Sequence, residues 1–360
     1  MKRPYYIFSA GRIRRQQNTL FFEKAAESEN EEPVQSEDEI LVDSDEFEAE
    51  RNERDQVQKR VIPVEDIESL YCFGEMTFNS KLVHFFSQQH IPMHFFNYYG
   101  FYSGTFLPRE YLVSGEVIVK QSAFYSDADK RMDIAREMIL GAVDNILKNL
   151  TYYQNRGKNV QAAIEEIQKE RHTISQAATP THLMTSEGRM RAAYYSAWDE
   201  IIDADFKFEQ RTRRPPQNAI NALISFGNSM LYTTALGEIY HTQLHPAISF
   251  LHEPGARRFS LSLDIAEVFK PFIVDRLIFR LLNQGSIKQK DFDEKLNFCH
   301  LNESGRKTFV QAYDERMKTT IKHRSLGRNV SYRRLIRLEA YKLIKHITGI
   351  KPYKAFRMWW

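Results

Sequence analysis

The 360-residue sequence predicts an α+β protein, with a β-rich N-terminal domain over residues 1–107 and a larger α-helical domain over residues 108–360. Three observations predict it. Short apolar and aromatic runs bounded by turn-forming residues occupy the first hundred positions. From Tyr111 onward, long segments carry apolar residues at three- and four-residue spacing. The chain is also longer than a typical single domain, so two cores are expected.

In chain order, Tyr5 to Phe8 and Thr19 to Phe22 read as strands around a polar turn containing Gly11. The stretch from Glu23 to Asp55 then carries fifteen acidic residues against three basic ones, with few large apolar residues. Such a composition buries too little surface to offset the entropy of ordering, and it reads as a disordered insertion, with a weak helix near Phe47 to Val57 as the alternative. Ile67 to Phe73 and Met93 to Phe96 resemble further strands, and NSKLVHFFSQQH reads as a short helix opened by Asn79 as N-cap. After GFYSGTFLPRE the texture changes, which places a domain boundary close to Pro108. MDIAREMILGAVDNILKNLTYY, NAINALISFGNSMLYTTALGEIY and VFKPFIVDRLIFRLLNQG all have helical periodicity. No internal repeat and no Gly-rich phosphate loop occurs.

The formal net charge of +3 conceals an asymmetry, because the acidic stretch carries −12 and the rest of the chain +15. Residues Arg306 to Trp360 hold fifteen Lys or Arg against Asp314, Glu315 and Glu339. A basic body points to an anionic partner, nucleic acid being the commonest, although a solvated basic surface has the same composition. The two cysteines, Cys72 and Cys299, lack the spacing of a zinc or CxxC site and read as buried thiols in a reducing compartment. The N-terminus MKRPYYIFSAGRIRR has no signal-peptide core, and no stretch approaches the roughly eighteen apolar residues of a membrane span. A protein of the cytoplasm is expected.

Three places concentrate hard ligands. TSEGRMRAAYYSAW puts Glu187 near the start of a predicted helix, followed by Arg189 and Arg191. FLHEPGARRFSLSLDIAEVFKP puts His252 and Glu253 in a loop ending at Arg257 and Arg258. Asp264 and Glu267 follow at i and i+3, so both can project from one helix face. Carboxylates with an imidazole suit Mg²⁺ or Mn²⁺, which can polarise a phosphodiester. Each pattern also has a structural reading: a helix-dipole contact for Glu187, a hydrogen-bonded loop residue for His252, a solvated face for the acid pair.

The string HPAISFLHEPGARRFSLSLDIAEVFKPFIVDRL, His245 to Leu277, resembles the signature region of the CRISPR-associated integrase family, the Cas proteins numbered one. VEDIESLYCFGEMTFNSKLVHFFSQQHIPMHFFNYYGFYSGTFLPRE, SEGRMRAAYY, RRPPQNAINALISFGNSMLYT and SYRRLIRLEAYKLIKHITGIKPYKAFRMWW resemble further blocks of that family in the same order. The resemblance implies a metal-dependent DNA integrase and endonuclease of the prokaryotic cytoplasm, which inserts new spacers by 3′-hydroxyl attack on a phosphodiester. It implies Glu187, His252 and Glu267 as metal ligands and Asp264 as an assisting acid. Relatives often carry Asp at the last ligand position, and Glu267 is one methylene longer. It also implies a homodimer, a small ferredoxin-like companion subunit, and DNA partners comprising a protospacer duplex and the CRISPR repeat.

Phosphate contacts are expected from Arg189, Arg191, Arg257, Arg258, Arg328, Arg333, Arg334 and Arg337, which flank or follow the ligands in sequence. Each has an alternative as a solvent-exposed or ion-paired residue. Tyr194, Tyr195 and Trp198 are expected to pack the helix bundle. His94, Tyr98, Tyr99 and Tyr102 are expected in packing of the β-rich domain or in dimer contacts.

Overall fold

The computed structural model describes residues 2–16, 19–24, 40–41, 59–202, 206–213, 215–255, 259–295 and 298–359. The chain divides into two compact units, Met1–Tyr111 and Leu112–Trp360. The first holds β1 (Arg3–Ile7), β2 (Gly11–Gln16), β3 (Thr19–Lys24), β4 (Ile40–Leu41), β5 (Lys59–Pro63), β6 (Ile67–Cys72), β7 (Met76–Thr77), α1 (Ser80–Gln89), β8 (Met93–Phe96) and β9 (Tyr102–Phe106). They form a five-stranded sheet in the order β4-β1-β6-β8-β9 and a four-stranded sheet in the order β5-β3-β2-β7.

Period-two alternation explains this core. Tyr5 and Ile7 from β1, Leu70 and Cys72 from β6, and Met93 from β8 pack with Ile13, Leu20 and Phe22 of the other sheet and with Leu82, Phe85 and Phe86 of α1. Asn79 caps α1 as expected, its side chain accepting from the Leu82 amide. The segment around Gly11, expected as a turn, is instead strand β2. Gly11 and Ile13 turn inward while Arg12 and Arg14 turn outward, and a Cβ at Gly11 would lie 2.5 Å from the Glu23 carbonyl oxygen. Only glycine permits that approach of β2 to β3.

Where it is described, the acidic stretch forms strand instead of a disordered insertion. Glu23 and Lys24 end β3, with Glu23 paired to Arg14 at 3.1 Å, and Ile40–Leu41 pairs antiparallel with β1. The remainder, including the alternative helix at 47–57, lies outside the described residues. Tyr98 is 73 % exposed in the β8–β9 hairpin, with Tyr99 and Tyr102 also exposed, whereas His94 is buried and its Nδ1 meets Thr105 Oγ1 at 2.8 Å.

The second unit contains α2 (Gly115–Ser126), α3 (Ala128–Gln154), α4 (Gln161–Arg171), α5 (Pro180–Ser196), α6 (Trp198–Ile201), α7 (Ala219–Tyr240), α8 (Ser260–Lys270), α9 (Arg276–Asn283), β10 (Phe292–Lys295), β11 (Phe298–Leu301), α10 (Glu303–Lys318), β12 (Thr320–Lys322), β13 (Asn329–Ser331) and α11 (Tyr332–Ile347). The two small hairpins, β10–β11 and β12–β13, were not anticipated. α7 is apolar on nearly every side and is accordingly buried along most of its length. α8 packs on both α3 and α7. Gly141 on α3 leaves room for this: a Cβ there would lie 2.6 Å from Ala355 Cβ, with Val268 of α8 beside it. Between α8 and α9, residues Pro271–Asp275 form a π-helical turn, where Pro271 contributes no N–H to the ladder. Tyr194 and Trp198 are fully buried and Tyr195 nearly so, with Trp198 edge-on to Phe279 at 4.7 Å, so all three pack the bundle.

The C-terminal segment is tied beneath α8. Asn145 of α3 donates to the carbonyls of Val268 at 2.9 Å and Phe356 at 3.2 Å and accepts from the Met358 amide at 2.8 Å. Buried Glu339 accepts from the Phe356 amide and the Tyr353 hydroxyl, and Phe356 stacks on Phe269 at 5.0 Å. The protein is α+β, with β-sheets first and a largely helical unit after them. Among the described residues no helix is long and apolar enough to cross a membrane.

Candidate active site

Two helices and one loop carry the expected residues, which Arg191 and Asp264 link in pairs. α5 starts at a Thr179 cap followed by Pro180 at its first turn, earlier than the sequence reading placed it. Glu187 is therefore about two turns inside the helix, and the dipole reading for it lapses. From there its Oε1 accepts from Arg191 Nε at 2.9 Å, one turn further along. Arg191 Nη2 donates to Glu267 Oε2 of α8 at 2.8 Å, and the other oxygen of Glu267 takes the Lys270 ammonium. One guanidinium thus joins carboxylates from two helices.

The pair Asp264 and Glu267 does not form a solvated face; both are buried, and they point to different partners. Asp264 turns back to the loop before α8. Its Oδ2 accepts from the amides of Phe250 at 2.6 Å and Leu251 at 2.9 Å, and its Oδ1 accepts from the amide of His252 at 2.9 Å and meets His252 Nδ1 at 2.8 Å. Both oxygens are committed. Asp264 therefore fixes the loop and the imidazole, and a proton on Nδ1 leaves Nε2 as the ring nitrogen with a free lone pair.

Further groups that sequence reading missed hold the loop from outside. Gln121, buried on α2, donates to the carbonyls of His245 and Ile248 and accepts from the His245 amide. Arg131 donates to the Phe250 carbonyl at 2.8 Å and pairs with Glu253 at the same distance, so Glu253 is a surface anchor. Lys270 had a legible signal, a cation three residues after Glu267 on a helix. Gln121 had none, because its partners lie more than a hundred residues away.

Burial would raise the carboxyl pKa of Glu267, but Lys270, Arg191 and His252 outweigh it and hold the group well below the ordinary carboxylate range. Burial would likewise lower His252, yet the hydrogen bond and charge of Asp264, with Glu267 behind them, raise it. Asp275, at the end of the π turn, is pushed by burial up to about 7, with Arg191 and Lys270 opposing.

The arginines separate by environment. Arg191 is buried and joined to two carboxylates, which corrects the expectation of a phosphate contact. Arg189 is 56 % exposed on the same helix, paired with Glu170. Arg333 and Arg337 both reach buried Glu238, at 3.9 and 2.6 Å, while Arg328 lies exposed before β13. Arg334 lies near the ring of Tyr341. Arg257 and Arg258 lie outside the described residues.

As they stand, no three His, Cys, Asp or Glu side chains among the described residues lie close enough to share one metal ion. The donor chemistry nevertheless fits: two carboxylates already converge on one positive centre, and an imidazole that feels the charge of Glu267 is fixed by Asp264.

The sequence profile of the family described as CRISPR associated protein Cas1 matches residues 5–315. A protein of Thermodesulfovibrio yellowstonii named CRISPR-associated endonuclease Cas1 3 is 46 % identical over 99 % of this chain and 100 % of its own. One of Fusobacterium nucleatum named CRISPR-associated endonuclease Cas1 is 45 % identical over 100 % of this chain and 98 % of its own. The structure of a Cas1 protein from Thermotoga maritima superposes with a TM-score of 0.81 at 38 % identity, covering 99 % of this chain and 100 % of that one. A casposase bound to integration product shares the fold, with a TM-score of 0.82 at 19 % identity over 99 % of this chain and 93 % of its own. The chain belongs to the Cas1 family of CRISPR-associated proteins.

Proposed function

We propose that the protein is the metal-dependent DNA integrase and endonuclease of CRISPR adaptation, inserting new spacers into the repeat array by 3′-hydroxyl attack on a phosphodiester. The observation that carries this reading is the convergence of Glu187 and Glu267 from two helices on one positive centre, with His252 fixed by Asp264 and within reach of the charge of Glu267. Full-length similarity to proteins named Cas1 endonucleases supports it.

Glu187, His252 and Glu267 would hold Mg²⁺ or Mn²⁺, which supplies stabilisation of negative charge on the transferring phosphate and the leaving oxygen. Asp264, meeting His252 Nδ1, would favour the tautomer protonated there and leave Nε2 as the ligand atom. Lys270 and Arg191 balance the carboxylate charge. Arg189, two residues after Glu187 on α5, is exposed and paired with Glu170, and its long side chain can turn to a DNA phosphate. With the ion held by this donor set supplying activation of the incoming hydroxyl, no protein nucleophile would be required. The partners in this reading are a protospacer duplex, the CRISPR repeat, a second copy of the chain, and a small ferredoxin-like subunit, in the prokaryotic cytoplasm.

The test is strand transfer of a labelled duplex into a repeat target. His252→Ala, Glu187→Gln and Glu267→Gln are expected to abolish joining while DNA binding persists, and a duplex ending in a 3′-deoxy nucleotide should bind but not join. Wild-type joining by His252→Ala at limiting metal would refute the ligand assignment. A protein–DNA adduct surviving denaturation, and lost when one Tyr is changed to Phe, would replace direct transesterification by a covalent route.

A further inference from the structure

Arg191 occupies the point where the two carboxylates meet. Its side chain is 9 % exposed, and it donates from separate nitrogens, Nε to Glu187 and Nη2 to Glu267. Glu187 and Arg191 are neighbours on α5, whereas Glu267 arrives from α8, 76 residues later. Two carboxylates drawn together in a buried place repel each other unless a cation lies between them. A planar guanidinium can hold both in a fixed geometry, which the point charge of a lysine cannot. The oxygens that Arg191 uses are among the lone pairs a hard divalent cation would seek, and Lys270 already takes the remaining oxygen of Glu267. A metal ion and Arg191 therefore compete for the same atoms.

We propose that Arg191 is a built-in placeholder: it keeps Glu187 and Glu267 aligned while no metal is present, and it yields its hold on Glu267 when a divalent cation enters. The inference rests on Glu187 and Glu267 being metal ligands. Arg191 then acts as a positioning residue that stabilises the metal-free protein and weakens metal binding.

The test uses full-length Arg191→Gln, Arg191→Lys and Glu187→Gln, with Mn²⁺ affinity measured by calorimetry and by the paramagnetic resonance of free Mn²⁺, and with thermal unfolding recorded with and without the ion. Arg191→Gln should melt lower than the parent without metal, recover more on Mn²⁺ addition, and bind Mn²⁺ about tenfold tighter, within the roughly 5–150-fold range of ordinary site coupling. Arg191→Lys should lie between the two. A variant unfolded without metal that folds on Mn²⁺ addition also supports the placeholder. If Arg191→Gln does not fold under either condition, Arg191→Lys decides: tighter binding than the parent supports the proposal, and equal or weaker binding overturns it. An equal fall in melting temperature with and without Mn²⁺, at unchanged affinity, would reduce Arg191 to a structural ion pair. Unchanged affinity in Arg191→Gln together with lost affinity in Glu187→Gln overturns the placeholder alone; unchanged affinity in both overturns the ligand assignment beneath it.

Discussion

Replacing Asp264 by Asn tests how the His252 loop is held. The carboxylate accepts three backbone amides and meets His252 Nδ1, all within 2.9 Å and out of contact with water. Asparagine keeps the shape but presents one oxygen and one NH₂ group, so two of the four bonds are lost and two donors face a donor. At about 1.5–3 kcal/mol for a hydrogen bond to a charged group, the loss is roughly 3–6 kcal/mol. The 250–252 loop can swing away and relieve the clash, which puts the expected destabilisation near ~3 kcal/mol, or about 6–12 °C for a unit of this size. Urea unfolding followed by circular dichroism measures it. His252 supplies a second readout. Its raised pKa contributes stability that is complete below the unfolded value and lost as pH rises through the folded one. Because Asp264→Asn removes the cause, the penalty should be larger at pH 6 than at pH 9, and the imidazole should titrate lower by NMR. A penalty under about 1 kcal/mol with an unmoved His252 titration would refute this account of the loop.

Two other perturbations test the surroundings of the site. Asp275 is buried with one carboxyl oxygen lacking a hydrogen-bond partner, and its pKa near 7 means the fold favours the protonated form. The stability this contributes is complete below the ordinary value of 3.8 and lost as pH rises to about 7. Asp275→Asn should therefore be neutral near pH 4 and stabilising by roughly 1–3 kcal/mol at pH 8; no gain in thermal stability at pH 8 would contradict it. Asn145→Ala removes three buried hydrogen bonds that tie α3 to α8 and the C-terminal segment, and should cost roughly 2–4 kcal/mol in urea unfolding while exposing the segment after Tyr353 to protease; an unchanged digestion pattern would show that the segment is held elsewhere.

The order of sheets before helices was legible in the sequence because it is written in local pattern: short apolar and aromatic runs at Tyr5–Phe8 and Met93–Phe96, and three-to-four spacing along α3 and α7. The Asn79 cap was legible for the same reason, since its partner is three residues away. β2 escaped because GRIRRQ is polar and becomes a strand only when Gly11 admits β3. The chemical types at the site, two glutamates, an aspartate and a histidine, could be named from the sequence and from its resemblance to a family. Their division of labour could not. Asp264 and Glu267 are one helical turn apart, yet one is spent on backbone amides 12 to 14 residues earlier and the other on Arg191 from a different helix. The sequence by itself determined which residues are available and which elements carry them. Only the tertiary structure decided that Arg191 faces inward to the carboxylates instead of outward to solvent, because burial and charge pairing depend on which helices meet, and that is a property of long-range packing.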